Sequence, residues 1–554
     1  MSILIVTSRS PAALEALAAP EGRPLVIHPV DFGPAAVTAD VTAVILDGVG
    51  ADPWLRDAVA GRGLNALAIG ASVFGVEALN EVTPGEVIVT DAGSGHPLAE
   101  RLDRQFAVVD GFTPLRLADA PAAEETAATV VMTVNHRFVE WPTLVAGTWG
   151  RGRFVVSGLG RFDSALASPV VAALLRRALR PGLPQTSRPS LGLGVAGYGR
   201  FGGMGTIHGR AAMAVDGLSF VATCDRDPER RKAAEHDFPG IGVHATIEDL
   251  AADDDVEIAV VATPPASHFH DVLALLGAGK HVVCEKPLCL TAAEADELMA
   301  EAGRCERLLT VNQNRRFDAD YLAIRRAITE GLLGEVFNIE TFVGGFEHPC
   351  RAWHSEESIS GGMAYDWGSH HIDWIVQLMG SQPTAVSAVG HKRVWHDVTN
   401  LDQIRVRMGW DDGREAQFVC SDVAAVRPPK FYVQGTAATL VGTYRPLRFE
   451  HVDRVAGYQV DVPHHAEAPA EIRLACPRTG VGLSETILPT AAAPEYAFHR
   501  NLVDHLQLGD PVAVTAASVR EVIAVLEAAN HSVAAGGAAI ALERRDGPAL
   551  NRKG

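Results

Sequence analysis

Cysteine is absent from the first 200 residues, and the seven that follow (Cys224, Cys284, Cys289, Cys305, Cys350, Cys420 and Cys476) include no C-x-x-C pair. That excludes cysteine nucleophile chemistry from the first third of the chain and a paired-thiol zinc or redox motif from all of it. An odd, dispersed set reads as reduced, mostly buried thiols. Basic residues are also few: 48 Lys and Arg against 67 Asp and Glu give a formal net charge of −19. Without basic clusters to neutralise phosphates, nucleic acid is excluded as a partner. An anionic dinucleotide is not, because backbone N–H groups and a helix N-terminus hold it. No apolar run reaches the roughly 20 residues of a membrane span. The amino terminus enters a strand-like stretch with no basic leader, so a cytoplasmic protein without a membrane partner is expected.

What is present is an ordinary globular composition, 47% hydrophobic and 21% charged over 554 residues, enough for two or three domains. The stretch RPGLPQTSRPS at 180–190 holds three prolines and a glycine and is the best linker. It bounds a first domain, 1–180, whose short β-branched runs (3–6, 43–46, 66–69, 129–134, 153–156) alternate with helical stretches such as 53–60 and 169–178. Such alternation predicts a parallel sheet covered by helices, a flavodoxin-like α/β domain. After the linker the pattern is again α/β to about residue 316, with strands at 191–196, 218–224, 258–262, 282–284 and 308–311. Residues 317–554 then carry longer strands of period-two polarity (403–408, 415–420), two amphipathic helices (495–508, 516–535) and a last strand at 539–542. The expected class is therefore α/β throughout: a Rossmann domain at 191–316, then an α+β domain with a large, open, mostly antiparallel sheet.

The strand at 191–196 runs into Gly197-Tyr-Gly199-Arg-Phe-Gly202, and a second strand ends in Asp225. Glycines at those places let a pyrophosphate approach the backbone, and the acid takes ribose hydroxyls. Gly202-Gly-Met-Gly205 follows at once, so Gly202 and Gly205 compete for the third-glycine role. Asp225 favours a free 2′-hydroxyl and hence NAD; Arg226 beside it suits a 2′-phosphate, so NADP is the alternative.

More specific motifs follow in order: Thr263-Pro264-Pro265-Ala266-Ser267-His268, then GKHVVCEKP with Glu285-Lys286-Pro287, then VNQNRRF, then GGMAYDWGSHHIDW at 361–374. From about residue 191 to the end the chain resembles the Gfo/Idh/MocA oxidoreductases, which oxidise or reduce sugars, polyols and related compounds. The resemblance implies that Lys286 stands beside the nicotinamide and the reacting carbon. It makes His370 of the D-x-x-x-H motif the general acid/base, with Asp366 orienting substrate or imidazole. It also implies cofactor contacts from Thr263, Pro264, His268, Glu285 and Asn314, and substrate contacts from Arg316, Trp353 and Asp373. The chemistry is coherent: imidazole has a proton affinity near working pH, and an ammonium stabilises a developing alkoxide. Asp366 and His370, four apart, share a helix face. His371 points elsewhere and reads as structural. His348, His354, His370, His371 and Asp373 cluster in sequence without a metal-ligand spacing such as H-E-x-x-H, so no metal is expected.

The first domain, through WPTLVAGTWGRGRFVVSGLGRF, His96-Pro-Leu and Asp110-Gly-Phe112, resembles the ThuA-like trehalose-utilisation domain, related to the class I glutamine-amidotransferase fold. Arg161 stands where that family has a histidine. Three readings stand for it: an enzyme of the same carbohydrate pathway, a sugar-binding or lid element, or a degenerate structural partner. His96 and His136 are its only candidate site residues. For the whole chain the expected function is an NAD(P)-dependent dehydrogenase of a sugar, sugar acid or polyol, assembled as a dimer or tetramer through the open sheet. A redox-cycling glycosidase or lyase using the same site and a non-catalytic dinucleotide-binding sensor are the rivals.

Overall fold

The computed structural model describes residues 2–50, 53–74, 76–79, 87–92, 96–99, 102, 105–108, 112–117, 126–136, 139–160, 163–166, 168–180, 189–199, 203–350, 352–444, 469–478, 480, 482–490 and 495–543. Internal contacts divide the chain into two compact units, Met1–Arg188 with Leu506–Pro511, and Pro189–His505 with Val512–Gly554. Among the described residues no helix is long and apolar enough to cross a membrane.

In the first unit, Ser2–Val6, Val41–Asp47 and Asn65–Ile69 are short, apolar and buried almost throughout. That is the pattern of strands covered on both faces. Alternate side chains divide between two cores. Ile3, Ile5, Ala43 and Ile45 pack with Leu14, Leu17, Val171 and Leu174, while Leu4, Val6, Val44 and Leu46 pack with Leu55 and Val59. With Arg23–Ile27 at one edge and Gly152–Ser157 at the other, these strands form a parallel half-sheet.

The expectation of a wholly parallel sheet is corrected in the other half. Val139–Trp149, Thr126–His136, Val87–Asp91 and Gln105–Val108 extend the sheet to nine strands by antiparallel pairing. Two 11-residue strands separated by two residues have no room for the dozen-residue crossover that parallel pairing needs. The unit is completed by Asp510, which accepts hydrogen bonds from Arg177 Nη2 at 3.1 Å and Arg180 Nη2 at 2.7 Å. His96 lines a small cavity with Arg153. The side chain of His136, and Asp110 and Arg161, lie outside the described residues.

The second unit opens with a six-stranded parallel sheet. In spatial order its strands are Gly242–His244, Leu218–Cys224, Leu191–Ala196, Ile258–Val261, His281–Cys284 and Leu309–Val311. The three-residue edge strand Gly242–His244 is too short to show a period in sequence. The chain then builds a nine-stranded sheet, antiparallel except where Val336–Gly344 pairs parallel with Glu415–Ser421. Helices Met363–Met379 and Ala516–Ala534 each bury most of their apolar side chains in this unit. The expected helix at 495–508 divides into Ala497–Val503 and a wider turn at Asp504–Leu508.

Candidate active site

The glycine loop lies at the carboxyl end of the central strand Leu191–Ala196, where open parallel sheets bind ligands. Gly197 has φ +89°, and a Cβ there would meet Ala262 C at 2.8 Å and Thr263 N at 2.9 Å, so only glycine fits. Gly199 has φ +76°, and a Cβ on it would meet nothing within 4 Å. Gly205, in the first turn of helix Met204–Ala214, packs so tightly that a Cβ would lie 2.4 Å from Tyr198 O. It fills the helix-packing role of the third glycine; its rival, Gly202, lies outside the described residues. Asp225 Oδ2 accepts from Gly199 N at 3.1 Å, which sets its carboxylate beside the loop. Tight turn, open approach, helix N-terminus and adjacent acid together fit a dinucleotide's pyrophosphate and ribose. Arg226 is exposed, and Arg230 comes within 3.7 Å of Asp225.

The next two loops are tied together from inside. His268 is buried, with Nδ1 2.7 Å from Pro287 O and Nε2 2.7 Å from Thr263 O. It clamps the Thr263-Pro264 turn to the loop carrying Lys286. Thr263 Oγ1 donates to Asp271 at 2.6 Å. Glu285 also faces inward: Oε1 accepts from His208 Nε2 at 2.8 Å and Asn312 Nδ2 at 2.7 Å, and Oε2 from Lys286 N at 3.2 Å. Burial alone would raise the Glu285 carboxyl, but the His208 hydrogen bond and charge hold it below the usual carboxylate range. Behind it, His208 Nδ1 meets His499 Nε2 at 2.8 Å.

Lys286 Nζ donates to Asp366 Oδ1 at 2.7 Å and to Asp366 O at 3.1 Å, joining the Rossmann domain to helix Met363–Met379. One turn later in that helix, His370 is buried and its Nδ1 stands 3.1 Å from Gln313 Oε1. Gln313 Nε2 donates to Ser369 O at 2.9 Å, which turns its oxygen towards the imidazole. Nδ1 therefore carries the proton and Nε2 keeps the lone pair. Burial, then the charges of Lys286 and Arg315, push the His370 proton affinity well below the ordinary histidine value.

Beside this set lies a cavity of about 230 Å³ whose lining includes Asp366, Trp367, His354, Cys350, Asp422 and Tyr444. The Arg315 guanidinium lies 5.2 Å from the centre of the Trp367 ring.

Several of the residues expected to touch substrate or cofactor are engaged within the protein. Arg316 and Asp373 are buried against each other, at 2.5 and 2.8 Å, because a charge withdrawn from water needs its partner. Trp353 stacks on His354, ring centres 3.6 Å apart, and it is His354 that lines the cavity. Asn314 is exposed on the short turn Asn314–Phe317, while Asn312 and Gln313 point inward. His208, His499 and Asp422 carried no motif; the only sign of Asp422 was its place just past a period-two strand. The histidines near residue 370 do not converge. His348 pairs with Asp397 at 3.0 Å, and His371 packs among Trp374, Phe418 and Phe431. Among the described residues no group of three or more His, Cys, Asp or Glu is arranged to hold a metal ion.

A glycine loop with its acid, followed by a lysine–carboxylate pair and an imidazole at an open-sheet domain, defines a dinucleotide-dependent oxidoreductase. Residues 191–313 match the model of the "Oxidoreductase family, NAD-binding Rossmann fold", and 321–441 match the "GFO/IDH/MocA C-terminal domain". Residues 191–313 and 321–441 thus carry the two domain types of the Gfo/Idh/MocA oxidoreductases.

Among curated relatives, the scyllo-inositol 2-dehydrogenase (NADP(+)) of Bacillus subtilis (strain 168) is 28% identical over 349 residues, 61% of this chain and 93% of that protein. The trans-1,2-dihydrobenzene-1,2-diol dehydrogenase of Bos taurus is 33% identical over 36% of this chain and 59% of its own length. The 1,5-anhydro-D-fructose reductase of Ensifer adhaerens is 30% identical over 38% and 65%. The chain thus matches less than two thirds of either of the last two. Among solved structures, an NAD-binding protein from Listeria innocua matches with TM-score 0.54 and 27% identity over 64% of this chain and 97% of that one.

Proposed function

We propose that this chain is an NAD(P)-dependent dehydrogenase or reductase acting on a CH–OH carbon of a sugar, sugar acid or polyol. The observation that carries the reading is the junction of Lys286, Asp366 and His370 beside the cavity, with His370 held by Gln313 so that Nε2 keeps its lone pair. A bound nicotinamide supplies the two-electron acceptor or donor. The glycine loop and Asp225 hold its dinucleotide. His370 Nε2 takes the hydroxyl proton of an alcohol or returns it to a carbonyl oxygen, and the Lys286 ammonium stabilises negative charge on that oxygen. Asp366 fixes the lysine rather than the imidazole, so ammonium and base are positioned independently. The names of the Bacillus subtilis and Ensifer adhaerens relatives, an inositol dehydrogenase and an anhydrosugar reductase, support a polyhydroxylated substrate. NAD is favoured by Asp225, and exposed Arg226 keeps NADP in the test.

For the first unit we propose a ThuA-like domain serving as a sugar-binding or lid element or as a degenerate structural partner, supported by the parallel half of its sheet. Exposed Val389, Leu483 and Ile487 on strands of the open sheet support assembly into a dimer or tetramer. Seven unpaired cysteines support the cytoplasm.

The test is nicotinamide absorbance on mixing the protein with NAD or NADP and a panel of sugars, sugar acids, polyols and glycosides. Substrate-dependent reduction supports the reading. Glycoside consumption that needs cofactor but leaves its absorbance unchanged overturns net oxidation in favour of redox cycling.

A further inference from the structure

The cavity beside Lys286 contains a carboxyl group with no evident structural task. Asp422 follows the strand Glu415–Ser421, and its backbone is pinned three ways: N donates to Asp402 O at 2.8 Å, while O accepts from Glu347 N at 3.2 Å and Trp395 Nε1 at 3.1 Å. Its side chain lines the same cavity as Asp366. Among the described residues no hydrogen bond reaches its carboxyl oxygens, although a half-buried carboxyl ordinarily finds a donor.

Among the described residues, the basic groups around this cavity are compensated from within. Lys286 is bound by Asp366 at 2.7 Å. The Arg427 guanidinium donates to Gly344 O at 2.8 Å and stands 3.7 Å from Glu347 Oε1. Lys392 lies 3.3 Å from Asp402 Oδ1, and His348 3.0 Å from Asp397. Burial, ahead of any charge, pulls the proton affinity of His354 below the ordinary histidine value. An anionic substrate entering here would meet Asp366, Asp422 and Glu347, with each described cation nearby already answered by a carboxylate.

From this geometry, and resting on the dehydrogenase reading of the site, we infer that Asp422 selects the substrate: it hydrogen-bonds a hydroxyl of an uncharged sugar or polyol and turns sugar acids away. Burial, then the charges of Asp366 and Asp402, push its carboxyl up to about 7, with Glu347 adding to this and Lys392 opposing it. Below that pH the group is a neutral donor; above it, an anion. Rejection of sugar acids therefore strengthens as pH rises.

The experiment is calorimetric titration of the full-length protein, saturated with reduced nicotinamide dinucleotide so that alcohols do not turn over. The probes are D-glucose, D-xylose and myo-inositol against D-glucuronate and D-gluconate, at pH 5.5 and 8.5. The expected result is at least tenfold tighter binding of the uncharged set at pH 8.5, with the preference shrinking at least threefold at pH 5.5. In Asp422→Asn the preference becomes independent of pH while cofactor affinity stays within twofold. Should that variant misfold, the pH dependence of the wild-type preference still decides. Sugar acids bound as tightly as uncharged sugars at pH 8.5, or a pH dependence that survives Asp422→Asn, would overturn the inference and leave the dehydrogenase reading standing. Cofactor binding with neither class of sugar bound would overturn both.

Discussion

Lys286 and His370 handle charge in opposite ways, and their surroundings explain why each tolerates the other. The lysine keeps its ammonium against Asp366, whereas the imidazole is buried and forced neutral. On the proposed reading, replacing Lys286 with Ala removes a cation directed at the developing oxyanion. We expect kcat/KM to fall by about 10²–10³, the usual effect of losing a single such donor. Fluorescence titration should find dinucleotide affinity changed less than tenfold, since the glycine loop sets it. His370 has a second consequence. Because its proton affinity is depressed, the base form persists below pH 6.5, and kcat/KM for alcohol oxidation should stay level from pH 8 down to about 6. A tenfold fall per unit beginning at 6.5 would mean that the imidazole titrates normally.

At the scale of elements, the buried pair Arg316–Asp373 ties the turn Asn314–Phe317 to helix Met363–Met379. Asp373→Ala should lower stability by about 3–5 kcal/mol in urea unfolding, because the guanidinium is left buried without its partner. A variant of native stability with a raised KM would restore Asp373 to the substrate. The elements themselves were largely legible. Strands at 191–196, 218–224, 258–262 and 282–284 announced themselves as apolar runs closed by glycine, acid or proline, and they lie within a residue or so of the observed limits. Lys286, Asp366 and His370 came from the resemblance, and the structure brings Lys286 against Asp366 with His370 one helical turn further on. The partners were not legible. That Gln313 rather than Asp366 holds His370, and that His208 reaches Glu285, depends on how a short turn and a distant helix pack, and residues 57 and 77 apart leave no periodic trace. The antiparallel half of the first sheet was missed for a related reason, since a β-branched run reads alike in either strand direction.

Across the whole molecule, three of the buried histidines in the second unit, His370, His371 and His499, are pushed well below the ordinary value, chiefly by burial. A histidine with a depressed folded-state affinity binds its proton in the unfolded chain first. Its contribution to stability is therefore complete above the unfolded value of 6.5 and is lost as pH falls below it. The slope is about 1.4 kcal/mol per pH unit for each group. Raised carboxyls such as Asp318, at about 6, act in the opposite sense, so the net curve is a composite. His371 separates the contributions, since neither ring nitrogen has a hydrogen-bond partner and the ring sits among aromatics. His371→Phe should match wild type at pH 7.5 and gain on it by roughly 1.4 kcal/mol per unit below pH 6. Parallel denaturation curves for the two proteins across that range would refute the neutral assignment.

Asp510 sets a limit on the order of events during synthesis. The first unit is built from residues 1–188, yet the carboxylate that Arg177 and Arg180 share belongs to a segment made more than 300 residues later. While the ribosome translates the catalytic unit, the nascent first unit lacks that carboxylate beside a guanidinium otherwise shut away from water. A released fragment of residues 1–188 should accordingly be captured by chaperones or cleaved by proteases that ignore the finished protein, and supplying the 506–511 segment in cis should cure it.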